Sequence, residues 1–530
     1  MDADAADRPV KRLISASLVC SGPDDLGDAV LVEDGRVVAI GQATALRSDA
    51  DEVIEHAGAV IVPGFRDAHI HAVPYASLLS GCSLKSATSM NDLIDRLAAY
   101  AATLDGEHPV VATRLDDESL AERRLPTRHD LDRAVPDRPA VIYRYCGHIA
   151  VANSAALEAS NIGVETADPE GGSLDRVDGM PNGILRETAA GLIAPALARG
   201  GHLEPSDLLD ALHVLAGLGI TSIGAMMGYG EQPSHTLEAE IDVWTSIAGD
   251  LPIKVHGITI TDDPDVLTSA AGKLDDAGGR LRWHGVKRFA DGSLGGHTAA
   301  MHTPFADVDT TGTYRLTEAD VAIARTAAEL GGAVCIHAIG DRAVSGVLDT
   351  FDVLISEGVP PERLRMEHVS VVSPDQIDRF AAMGVSACVQ PAFIASESEW
   401  LFTRVGDDRS TWVYPFVSMA AAGIPLVGSS DCPVEPPHPL WGMAAAIDRH
   451  GILPSEALSG SAALDLFTTA GAMSLGEPEP LTPGAPADMV VLDRDVRSVE
   501  PDQVHDTHVI ETYVDGAAVA VDRSAPAWVD

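Results

Sequence analysis

Eight apolar, strand-like runs punctuate the chain, and amphipathic helical stretches fill intervals between them. Strands joined in this way are not hairpins: each helix carries the chain back over the sheet, so neighbouring strands run parallel. The runs lie at 64–71, 219–226, 252–259, 284–292, 332–340, 363–370, 384–391 and 424–432. Helical periodicity marks LEAEIDVWTSIAG, LTEADVAIARTAAELGG, AVSGVLDTFDVLISEG and SPDQIDRFAAMG. Thr317 and Ser373 stand where two of these helices need an N-cap. Eight strands with intervening helices make a (β/α)8 barrel.

The rhythm breaks once, between 71 and 219. That interval is far longer than the roughly 2–6 residues of an ordinary βα loop. It holds RPAVIYRYCGHIAVANSAAL and the turn-rich DPEGGSLDRVDGMPNGILRE. Residues 75–215 are therefore expected to form an inserted lid subdomain over one mouth of the barrel. The two ends of the chain share a different texture of short strands and turns. LVEDGRVVAIG carries the hairpin signal Asp34-Gly35. Neither end has enough apolar residues for its own core. Residues 10–61 and 481–523 are expected to pair into one discontinuous β-domain, with 62–480 left to the barrel and Pro63-Gly64 marking the crossing.

Composition excludes several classes of function. With 530 residues and 46% hydrophobic content, a sizeable core can be buried. No apolar run approaches the roughly 20 residues of a membrane span. The start, MDADAADRPVKR, lacks the basic-then-apolar pattern of a secretory signal, so a cytoplasmic protein is expected. Lys and Arg total 36 against 79 Asp and Glu, a net charge of −43. Such a field repels nucleic acid and anionic membrane surfaces. The positive charge is mostly arginine, with lysine only at 11, 85, 254, 273 and 287, which suits either a high-salt cytoplasm or a GC-biased genome. Six scattered cysteines form no CxxC pair, as expected of reduced, buried thiols.

Barrel chemistry collects at the C-terminal ends of strands. The first run ends in His69 and His71, the fourth carries Lys287, the fifth His337, the sixth His368 and the eighth Asp431. Any one of these alone is more often a satisfied core residue, a salt-bridge partner or a helix cap. Together on strand ends they make a ligand set. Neutral imidazoles and a carboxylate suit one or two borderline divalent ions such as Zn²⁺. A lysine ammonium is a poor partner for cations, but a carbamylated lysine is an anionic oxygen ligand that can bridge two metals. Metal coordination lowers the pKa of water from about 15.7 to about 7, and Asp431 is placed to accept its proton.

The motifs PGFRDAHIH, VKRFADGSLGGHTAAM, CIHAIGDRAV, RMEHVSVVSPDQIDRF, CVQPAF and VGSSDCPVEPP resemble the amidohydrolase superfamily. More narrowly they resemble its YtcJ-like branch (amidohydrolase family 3), which includes N-substituted formamide deformylases. GHIAVANSAAL in the insertion and LTPGAPADMVVLD in the tail resemble the same branch, so the likeness runs from about residue 10 to 523. It implies an α/β fold: a distorted (β/α)8 TIM barrel, a small β-sandwich built from both termini, and a large insertion after barrel strand 1. It also implies that His69, His71 and Asp431 hold the more buried metal, that Lys287 bridges, and that His337 and His368 hold the more exposed one. A small-molecule substrate is implied, and a homodimer fits the family.

Hydrolysis of an amide or formamide-type C–N bond is the expected activity, with Asp431 as general base. Ester, lactone or cyclic-amide hydrolysis on the same site, or a non-catalytic metal-binding protein, are the alternatives. His148, His297 and Arg342 are candidate substrate contacts, although Arg342 reads better as the partner of an internal carboxylate. His297 stands where relatives often carry arginine. Cys432, beside Asp431, is read as packing, and Arg66 is expected to point away from the histidine face toward a polar partner. Specificity is expected to come from the insertion and the strand-end loops.

Overall fold

Pro63 ends a strand of one sheet and Phe65 begins a strand of another, with only Gly64 between them. A Cβ at Gly64 would lie 2.4 Å from the Thr221 side chain, so the crossing needs a residue without one. The computed structural model describes residues 10–104, 108–144, 149–169, 172–193, 196, 204–228 and 233–521.

Past this crossing come eight barrel strands: β1 (Phe65–Ile70), β2 (Ile220–Met227), β3 (Lys254–Thr259), β4 (Leu281–Phe289), β5 (Ala333–Ala338), β6 (Leu364–His368), β7 (Ser386–Val389) and β8 (Leu426–Gly428). They form one sheet in sequential order, and every ladder between neighbours is parallel. Between β1 and β8 the seam is joined by two backbone bonds rather than a regular ladder. Asp431 N–H donates to His69 O (2.9 Å), and His71 N–H donates to Cys432 O (2.8 Å). The barrel is thus distorted at the point where the first and last candidate ligands meet.

Each of the eight apolar runs overlaps a strand. β4 starts at Leu281, earlier than the run at 284–292, because its opening residues alternate buried Leu281 with exposed Arg282 and do not read as an apolar run. β8 is only three residues long. Beyond Gly428 the backbone N–H groups of Ser429, Ser430 and Asp431 turn to Val389 O, the Asp67 carboxylate and His69 O, so the ladder stops while the chain stays anchored.

The helices follow their apolar spacing. Asp341–Ser356 buries Val344, Val347, Leu348, Phe351 and Leu354 at the three- and four-residue intervals of one face. Thr317 and Asp320 close a capping box on Glu318–Glu329, as Ser373 and Gln376 do on Pro374–Met383. Among the described residues, no helix is long and apolar enough to cross a membrane.

Both ends of the chain share one sheet. Val60–Pro63 pairs with Met489–Leu492 on one side and with Arg12–Ser21 on the other. Ile14, Val30 and Ile61 pack with Met489, Val491 and Tyr513 in one cluster, so neither end completes this core alone. Asp34 and Gly35, at φ +50° and +74°, make the hairpin turn between Asp24–Glu33 and Arg36–Gly41.

The chain divides into two compact units: Met1–Tyr75 with Leu208–Leu294 and Ala299–Asp530, and Ala76–Asp207 with Gly295–Thr298. The second has its own six-stranded sheet, running from Gly172–Val177 through Met180–Glu187, Ile149–Ala152, Ala140–Arg144 and Val110–Leu115 to Cys82–Ser83. It carries two apolar clusters of its own, one around Leu93, Leu97 and Leu131 and one around Leu157, Leu174 and Leu185.

Candidate metal centre

Every residue of β1 is buried, and the strand delivers His69 from within and His71 one residue past its end. His69 Nε2 lies 3.2 Å from Asp431 Oδ1 and 3.3 Å from Lys287 Nζ. His71 Nε2 is 3.4 Å from the same Asp431 oxygen. The His368 ring stands 5.1 Å from that of His69 and 4.4 Å from that of His337, centroid to centroid. The fold therefore gathers His69, His71, Lys287, His337, His368 and Asp431 into one contiguous cluster, although β1 and Asp431 lie at opposite ends of the barrel sequence.

Backbone conformation shapes this cluster. His368, Val369 and Asp431 all have positive φ, at +73°, +51° and +58°. A non-glycine residue in that region costs on the order of 1–3 kcal/mol and persists only where its surroundings hold it. Side chains of successive strand residues point to opposite faces. The turn at His368 breaks that alternation, so both Glu367 and His368 reach the cluster.

Neighbouring groups set the imidazole tautomers. His69 Nδ1 lies 2.7 Å from Glu367 Oε2, and His368 Nδ1 lies 2.8 Å from Gln390 Oε1. Both rings thus turn Nδ1 to an oxygen acceptor and leave Nε2 facing the cluster. His337 is reversed: its Nε2 donates to Gly292 O at 2.8 Å, leaving Nδ1 as the free donor atom. Asp291, 3.2 Å from the same nitrogen, accepts the backbone N–H groups of Ala300, Ile339 and Gly340 and so ties the end of β4 to that of β5.

Burial lowers the pKa of His71 and takes that of His368 well below the usual imidazole value. Burial likewise lowers the pKa of Lys287, disfavouring its ammonium form. For Asp431 burial works upward, but His69, His71 and His368 prevail and hold the carboxyl well below its usual range. Neutral imidazoles beside an ionised carboxylate are the donor set of a borderline divalent cation. One ligand atom each from His69, His71 and Asp431 lies within 4.8 Å of the others. His69 Nε2 and Asp431 Oδ1 are turned toward each other at 3.2 Å, so a cation placed there would be held from both sides. A second grouping, His69 with Glu367 and Cys388, meets the same distance test. It fits less well: Arg365 already neutralises Glu367, and burial together with Glu367 pushes the Cys388 thiol well above its usual pKa, keeping it protonated.

His148 lies outside the described residues. His297 is half-buried at φ +54° in the Gly295–Thr298 segment, which packs with the second unit. Arg342 is exposed on the first turn of its helix, with its guanidinium 5.8 Å from the Tyr314 ring centroid. Among the described residues it has no carboxylate partner, so the internal ion pair expected for it is absent. Arg66 does point away from the histidines, but into a buried network: its Nε is 3.0 Å from Glu477 Oε2, and Glu477 also bonds His256 and Ser222. Cys432 is buried and, by that burial, held as the neutral thiol.

A parallel eight-stranded barrel with this candidate ligand set at its strand ends fits a class of metal-dependent hydrolases. The sequence pattern of the amidohydrolase family matches residues 52–520, and the chain belongs to that family. It is a hydrolase of carbon–nitrogen bonds, of a kind that acts on small molecules. YtcJ of Bacillus subtilis (strain 168) is 29% identical over 521 residues, covering 93% of this chain and 96% of its own. The N-substituted formamide deformylase of Arthrobacter pascens is 27% identical, covering 92% of this chain and 94% of its own. An uncharacterized metal-dependent hydrolase from Pyrococcus furiosus, solved by crystallography, superposes with a TM-score of 0.74 at 29% identity, covering 92% of this chain and 100% of its own.

Proposed function

We propose that the protein hydrolyses an amide or N-formyl bond of a small molecule, with Asp431 as the group that moves the proton. His69, His71 and Asp431 would hold the more buried of two divalent ions, which we read as zinc. His337 and His368 would hold the more exposed ion, and Lys287 would bridge the two. Burial favours the neutral Lys287 amine, the form that adds to CO2; loss of one proton from the adduct leaves the carbamate. Bound there, the ions would supply Lewis acidity toward a substrate carbonyl and toward water, whose pKa a metal lowers to about 7. Asp431, kept ionised by its imidazole neighbours, accepts the proton of the attacking water and returns it to the leaving nitrogen. The bonds to Glu367 and Gln390 hold the His69 and His368 rings still during this transfer.

The observation that carries this reading is Asp431 itself: a strained, buried, ionised carboxylate in contact with two imidazoles. The test is turnover of N-formyl and N-acyl amines by zinc-reconstituted protein, beside Asp431→Asn. The wild type should release amine, and the variant should bind zinc yet lose about 10²–10⁴-fold in kcat. If both bind zinc and neither cleaves any amide, the proposed reaction fails.

A further inference from the structure

Glu367 takes no part in the proton transfers proposed above, yet it is fully enclosed at the heart of the site. Its Oε2 faces His69 Nδ1 at 2.7 Å, and its Oε1 accepts from Arg365 Nε at 2.6 Å. Arg365 is only 3% exposed and is itself fixed at two further points. Its Nη1 donates to Ser474 Oγ and its Nη2 to Ala68 O, both at 3.0 Å. Ala68 is the residue before His69, so the guanidinium grips the backbone of β1 while its partner carboxylate grips the ring that β1 carries.

Stability alone is a poor reason for such a pair. Removing two charges from water is costly, and apolar replacements of buried ion pairs are often neutral or stabilising. The geometry points to a different role: Arg365 and Glu367 are positioning residues that lock His69 in its Nδ1–H tautomer, with Nε2 directed at Asp431, before any ion arrives. Arg365 is needed as well as Glu367. Its charge keeps the carboxylate engaged and stops Glu367 from becoming a ligand in the competing His69–Glu367–Cys388 arrangement. This inference rests on the reading of His69 as a metal ligand but not on the reaction proposed for the site.

The test uses the full chain and two readouts that do not involve turnover. The first is the tautomer of His69 in the metal-free protein, from ¹⁵N-histidine spectra with His69→Gln assigning the signal. The second is zinc affinity, by competition with a chelator. The double variant Arg365→Met with Glu367→Leu removes both charges at once, and Arg365→Leu with Glu367→Met, the same removal with the side-chain shapes exchanged, serves should the first double variant not fold. Wild-type His69 should show Nδ1–H. In the folded variants the ring should pass to Nε2–H or a mixture, and zinc should bind about 10–100-fold more weakly, while the thermal midpoint of the metal-free double variant stays near that of wild type. A ring that keeps Nδ1–H, with zinc affinity within about twofold of wild type, overturns the inference. A wild type that shows these behaviours yet cleaves no amide overturns the reaction and leaves this assignment standing.

Discussion

His368 and Asp431 hold the site together through a conformation that residue type does not announce. Histidine, lysine and aspartate at strand ends are visible in the sequence because strands, counted off by apolar runs, indicate where their C-terminal ends fall. Glu367 and Gln390 are not visible in the same way. Strict alternation sends Glu367 away from the face of His368, and only the left-handed backbone at His368 brings both inward. Gln390 lies just past β7 with nothing in its spacing to connect it to His368 Nδ1. Lys287 offers a direct check at this scale. It is 1% exposed, and its amine meets His69 Nε2 and lies 4.8 Å from the Phe289 ring centroid. Lys287→Ala should leave a chain that binds one zinc fewer than wild type by elemental analysis. Full occupancy of two ions in that variant would remove lysine from the bridging position.

The elements were mostly legible, because each carries its own local signals. Thr317 and Ser373 cap the helices that their sequence positions indicated, and Asp34-Gly35 turns the hairpin. Strand ends were less clear wherever polar residues occupy a strand, as at Arg282, or wherever side chains take over from the ladder, as after Gly428. Two outcomes belong to this level. Thr317→Ala removes one side of a capping box and should cost about 1 kcal/mol in urea unfolding, since Thr317 Oγ1 accepts the Asp320 N–H and Asp320 returns a bond to the Thr317 N–H. The second concerns Glu240, buried on the helix Pro233–Ser246, where it accepts from Gly228 N–H and the Trp244 indole. Burial pushes its pKa up to about 7 from 4.5, despite those two bonds. A carboxyl with a raised folded pKa adds stability that is fully present below its unfolded value and is lost as pH rises through its folded one. Glu240→Gln should therefore flatten the decline in stability between about pH 4.5 and pH 7. An unchanged pH profile would mean that this carboxylate is solvated.

At the scale of the whole molecule, the pairing of the two chain ends was readable from their shared texture and from the shortage of apolar residues in each. The internal sheet of Ala76–Asp207 was not, since its strands are interleaved with turns and short helices that mask any period. The charge of −43 acts on the entire surface and makes the compact state repel itself. Raising NaCl from about 0.1 M to about 1 M shortens the screening length from about 10 Å to about 3 Å, so the thermal midpoint should climb by several degrees. A flat response would mean that the acidic groups are already compensated by their local partners. The central claim is that the barrel's strand ends build one metal centre from His69, His71, Lys287, His337, His368 and Asp431. Anomalous diffraction at the zinc edge, from crystals of the zinc-loaded protein, tests it most directly. The account predicts one peak among His69, His71 and Asp431 and a second between His337 and His368, with Lys287 reaching both. A peak between His69, Glu367 and Cys388, or zinc bound only away from this cluster, would contradict it.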